Sequence, residues 1–243
     1  MSVARAPSAP QILRDIPLAV DPDEVLRFQG YRRGIDVPGP DVRALFEEAH
    51  ALGLSLMEPR AVVRWGAVRE EADDRLTLTG GPAFTIPGIA RAWGAVAEVA
   101  GAVVTIGGAL EARVAALWEA RELPLAAMLD SVGSGAVESL AEHVNDLLCQ
   151  GGIARGVRVT NRISPGYGGW DVGEQNLLFP FVDGASIGVR LNDACFMTPE
   201  KTITLLVGAG PRARVDHYFA QCARCWMAGC AYRRAPAART VHR

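Results

Sequence analysis

Between residues 134 and 150 the apolar side chains Val137, Leu140, Ala141, Val144, Leu147 and Leu148 recur at the spacing of one helix face. Gly151-Gly152 closes that helix. Strand candidates follow at residues 157–161, 187–191 and 203–207. A long helix with an apolar face must bury it against something, and the strands downstream supply a sheet. Upstream, the same reading gives a helix starting at Asp21-Pro22-Asp23-Glu24, where carboxylates sit at the positive end of the dipole. A second helix is capped by Asp41 after Gly39-Pro40 and stopped at Gly53. Residues 61–65 and 75–79 read as strands, 89–99 as helix, 103–106 as strand, 109–121 as helix and 125–129 as a further short helix. Residues 174–179 read as another short helix. Strands and helices do not alternate as βαβ units, so the expected class is α+β: a mostly antiparallel twisted sheet with flanking helices.

The chain has 243 residues, enough for one large domain or two small ones. Residues 1–80 read as an N-terminal lobe of helix and strand, either separable or continuous with the rest. Residues 81–215 read as the core and 216–243 as a cysteine-containing tail. The net charge of −2 gives no electrostatic argument for nucleic acid or anionic membrane. Arg233, Arg234, Arg239 and Arg243 crowd the end, which reads as a solvated terminus. The longest apolar stretch, residues 95–110, is too short and too broken by Glu98, Thr105 and glycines to span a bilayer. Five cysteines, an odd number, suit a reducing compartment, and with no secretory run at the start the expected location is cytoplasmic.

The most unusual stretch is Asn161-Arg162-Ile163-Ser164-Pro165-Gly166-Tyr167-Gly168-Gly169-Trp170. Its glycines allow backbone to approach a ligand, Tyr167 offers a ring and a hydroxyl, and Arg162 offers a forked donor for a carboxylate. Taken alone, it reads slightly more readily as a tight turn that packs Tyr167 and Trp170 into the core. Near the end, Cys222, Cys225 and Cys230 form C-x2-C-x4-C with His217 five residues ahead. That spacing suits zinc or an iron–sulfur cluster. A closed zinc site would recruit His217 or Cys195, and the alternative is unligated thiols on a terminal helix. Gly133-Ser134-Gly135 lacks the strand–turn–helix setting of a serine nucleophile and reads as a helix cap.

Arg162, Gly166 and Tyr167 match the Arg-x-x-x-Gly-Tyr motif with which the activation (reactivation) domain of cobalamin-dependent methionine synthase holds S-adenosylmethionine. SGAVESLAEHVNDLL at residues 134–148 resembles the family's long helix, with Glu138 where a glutamate faces the ligand. NDACFMTPEKT at 192–202 is similar to the family's Met-x-Pro segment near its corrinoid-facing edge, and DEVLRFQGYRRG at 23–34 and residues 106–114 are similar to its short, stand-alone members. Cys195 or a neighbour lies where the long enzyme has a tyrosine, and no residue is carried over for that enzyme's ligand-binding acid near the domain start. The chain also has no room for modules binding homocysteine, folate and cobalamin.

The resemblance implies binding of S-adenosylmethionine and reductive methylation of a corrinoid on a partner, as a component of methionine synthase-type methyl transfer. Arg162 would hold the methionyl carboxylate, Gly166 would allow close backbone approach, Tyr167 would shape the site and Glu138 would face the ligand's positive end. The implied partners are a cobalamin-binding methyltransferase or corrinoid protein and a reductant such as flavodoxin or ferredoxin. Two alternatives stand beside it: a non-enzymatic corrinoid-protein docking module, and a metal-binding redox adaptor working through the cysteine tail.

Overall fold

The computed structural model describes residues 9–215. In chain order these form β1 (Gln11–Arg14), α1 (Pro22–Phe28), α2 (Pro40–Leu56), β2 (Arg60–Ala72), β3 (Arg75–Leu78), β4 (Ala83–Thr85), α3 (Ile89–Trp93), β5 (Gly94–Ala95) and β6 (Glu98–Thr105). Then come α4 (Ala109–Glu119), α5 (Leu123–Ala154), β7 (Arg158–Val159), α6 (Gln175–Val182), β8 (Arg190–Leu191), β9 (Met197–Thr198), β10 (Thr202–Gly210) and β11 (Arg212–Ala213). Among the described residues, seven strands make one antiparallel sheet in the order β4-β3-β2-β6-β10-β7, with β1 also paired to β2. The α+β reading with a mostly antiparallel sheet is the fold observed.

Alternation along the central strands divides the core in two. Ala100, Ala102 and Val104 of β6, with Leu205, Val207 and Ala209 of β10, join the cluster under α1, α2, α4 and α5. Val99 and Val103 of β6, with Leu206 of β10, face the other way, into a cluster with Trp93 of α3 and with Leu178, Phe181 and Val182 of α6. Gly101 lies beneath α6, where a Cβ would come 2.6 Å from Val182 Cγ2, so the helix sits directly on strand backbone.

Several glycines read as breaks are instead points of close helix contact. Gly53 lies inside α2, where a Cβ would meet Val132 Cγ1 of α5 at 2.9 Å. Gly133-Ser134-Gly135 is no cap. It lies within α5, which runs unbroken for 32 residues and absorbs the short helix expected at 125–129. A Cβ on Gly133 would meet Leu110 of α4 at 2.8 Å, and one on Gly135 would meet Val25 of α1 at 3.1 Å. Ser134 Oγ donates to Asp130 O (3.1 Å) and accepts from Lys201 Nζ (2.9 Å). The same ammonium is paired with Asp130 at 2.7 Å, so the contact pins the start of β10 to α5.

The helix expected over 89–99 ends at Trp93. Gly94 takes φ +67° and ψ −159°, open to glycine alone, and the apolar run beyond is β6. Of the strand expected over 187–191, only Arg190–Leu191 is extended, after a 3-10 turn at Gly184–Ile187.

Candidate functional site

Arg162 lies three residues past the short strand β7 and just before Ile163, whose N–H and C=O both pair with Leu206 of β10 (2.9 and 2.8 Å). That pairing fixes the backbone and turns the neighbouring Arg162 toward α5. There its Nη2 donates to Glu138 Oε2 at 2.8 Å and to Glu142 Oε1 at 2.9 Å. The two glutamates are four residues apart and so share one helix face. The arginine side chain is 13% exposed and each glutamate 31%, so the cluster lies at the rim of the core rather than in open water. Burial alone would lower the guanidinium's pKa, but the charges and hydrogen bonds of the two carboxylates outweigh it and the value is raised. Arg162 is therefore a permanent cation facing two carboxylates.

The sequence reading named Glu138 and Arg162, and the fold brings them into contact. It missed Glu142. The available signal was the i, i+4 spacing from Glu138, which puts any second carboxylate on the same face.

Beyond Arg162 the loop closes on itself. Gly166 N–H donates to Trp170 O (2.8 Å), Tyr167 N–H to Ser164 O (3.2 Å) and Trp170 N–H to Tyr167 O (3.0 Å). Gly166 has φ +89° and Gly169 φ +86°, conformations in which a side chain would be strained. Trp170 is buried at 2% exposure, edge-on to Phe84, as a packed turn requires. Tyr167 is not buried with it: at 62% exposure it stands at the surface, five residues past the Arg162 backbone. Trp170 thus anchors the loop while Tyr167 remains presented.

The Met-x-Pro segment forms the hairpin β8–β9, with Cys195 in its turn at φ +63° and Phe196 71% exposed. Asn176 Nδ2 of α6 donates to Cys195 Sγ at 3.3 Å, tying the hairpin to the helix that follows the loop. Cys222, Cys225, Cys230 and His217 lie outside the described residues. Among the described residues no group of three or more His, Cys, Asp or Glu converges as a metal site, and no helix is long and apolar enough to cross a membrane. A separate cleft of about 620 Å³, lined by Arg64, Trp65, Glu98 and Phe181 among others, contains none of the candidate residues.

No family model matches the chain, and no curated protein matches it. Among solved structures it is similar to the crystal structure of the MetH reactivation domain bound to AdoHcy, with a TM-score of 0.62 and 14% sequence identity. The alignment covers 88% of this chain and 81% of that one. At such low identity the likeness establishes a shared fold, the one implied by Arg162, Gly166 and Tyr167.

Proposed function

We propose that this chain binds S-adenosylmethionine beside Arg162 and assists reductive methylation of a corrinoid carried by a partner protein. The observation that carries the reading is the convergence of Arg162 with Glu138 and Glu142, in a chain sharing the fold of a domain solved with AdoHcy. The ligand bears an ammonium, a sulfonium and a carboxylate, a net positive charge. One guanidinium against two carboxylates is the complementary set, with the fork for the ligand's carboxylate and the surplus negative charge for its cationic end. Gly166 lets backbone approach closely, and the ring of Tyr167 stands at the surface where it can shape the ligand's outer wall.

When bound, the sulfonium supplies the methyl group, and a one-electron reductant of the flavodoxin or ferredoxin type completes methylation of the partner's cobalamin. The chain's own part is to bind and align. Cys222, Cys225 and Cys230 remain candidate ligands for zinc or an iron–sulfur cluster, testable by metal analysis and visible absorption of the whole chain.

Calorimetry with S-adenosylmethionine tests the reading. Arg162→Ala should weaken binding by about 1.5–3 kcal/mol, the range for a hydrogen bond to a charged group. Arg162→Lys should restore only part, since an ammonium lacks the fork. Absence of binding, with or without a corrinoid protein, overturns it. The docking-module reading is favoured by one observation, that Glu138 and Glu142 already engage Arg162. It predicts that titration gives no heat while a corrinoid protein is still bound.

A further inference from the structure

We infer that Asn145 belongs to this site as a specificity-determining residue, its buried carboxamide oxygen accepting a hydrogen bond from the ammonium of the ligand's amino-acid end; the inference rests on the reading of Arg162 just given. Glu138, Glu142 and Asn145 follow one another at i, i+4 and i+7 along α5 and lie on one stripe of the helix. The first two hold Arg162. Asn145 comes one turn later, about 4.5 Å further along the axis at 1.5 Å per residue. It is 9% exposed, and its Oδ1 is buried with no hydrogen-bond partner. A buried carbonyl oxygen without a donor is unfavourable, and most such groups in proteins are satisfied.

The chemistry of the stripe says what the missing donor is. Two carboxylates and an amide oxygen are all acceptors, against one guanidinium already shared between the carboxylates. The unmet demand is for N–H donors with positive charge. In an amino acid the ammonium and the carboxylate are on the same carbon. A carboxylate held by Arg162 therefore brings its ammonium to the same face of α5, where the acceptors are Glu138, Glu142 and Asn145. Removing the amide oxygen should relieve the free protein and harm only the complex, the reverse of a residue that merely packs.

The test measures the whole chain as wild type, Asn145→Leu and Asn145→Ala, reading the ligand-free melting temperature and the affinities for three probes. The probes are S-adenosylmethionine, S-adenosylhomocysteine and methylthioadenosine, which lacks the amino-acid moiety. The expected result for Asn145→Leu is an unchanged or higher melting temperature with about tenfold weaker binding of the first two probes by equal factors. Binding of methylthioadenosine should be unchanged. Asn145→Ala should show the same pattern of affinities if the leucine variant does not fold. Affinities within twofold of wild type for all three probes would overturn the inference and leave the Arg162 site standing, as would equal weakening of methylthioadenosine. A wild-type chain that binds neither amino-acid probe would instead remove the site itself.

Discussion

Gly101 shows how much of this fold depends on what single residues lack. It lies in β6, between Arg64 of β2 and Leu206 of β10 in register, under the apolar face of α6. Alanine there would bring a Cβ to 2.6 Å from Val182 Cγ2 and 3.1 Å from Leu178 Cδ1. Val182 is β-branched and fully buried, so it has little room to turn away, and Gly101→Ala should destabilise by about 1–3 kcal/mol, the cost of overpacking a filled core. Equilibrium denaturation in urea would read it as a lower midpoint at unchanged slope. A stability equal to wild type would mean that α6 floats on the sheet. Because α6 also carries Asn176, which holds the Cys195 turn, the same variant should loosen the β8–β9 hairpin.

At the level of elements, the link between α1 and α2 is held by its own charges. Arg32 meets Asp36 through its side chain (2.9 and 3.0 Å) and its backbone N–H (2.7 Å). These hydrogen bonds, from the side chain first and then the backbone, hold the exposed Asp36 carboxyl at about 2 against an ordinary 3.8. A depressed carboxyl stabilises above its unfolded value. The clasp should therefore be intact above pH 3.8 and be lost as pH falls from there through about 2. The Arg32 amide resonance, followed by NMR titration, should move with that midpoint in wild type and not in Asp36→Asn.

Much of the element pattern was legible beforehand, and the failures share a cause. The capped start of α1 follows from Asp21, whose side chain accepts from Asp23 N–H at 2.9 Å. The lengths of α2, α5 and β6 did not follow, because a glycine that stops a helix and one that admits a neighbouring helix look identical in sequence. The β6 run, buried on both faces, also has no polar alternation to mark it as strand. At the site, Arg162 and Tyr167 stand out by residue type. Glu142 and Asn145 do not, since their meaning comes from which stripe of α5 the loop covers.

Across the whole molecule, the sheet ignores the boundary at residue 80. β2 pairs with β6 from Arg60↔Thr105 to Ala67↔Glu98, and both core clusters draw residues from either side of it. Thermal unfolding should therefore be a single transition, and a fragment of residues 81–215 should not fold alone, since it leaves the inner strand β6 without its β2 partner. Circular dichroism of the fragment would check this, and a native-like spectrum with a cooperative melt would show residues 1–80 to be dispensable. The strand order has a further consequence, in time. The second partner of β6 is β10, which begins at Thr202, almost a hundred residues after β6 ends at Thr105. A ribosome adding about 5–20 residues per second leaves that edge unpaired for about 5–20 s on every chain it makes. All of β6 beyond Glu98 is destined for the interior, so for those seconds the nascent chain offers an apolar strand edge to any neighbour, and a folding helper has a defined interval in which to cover it.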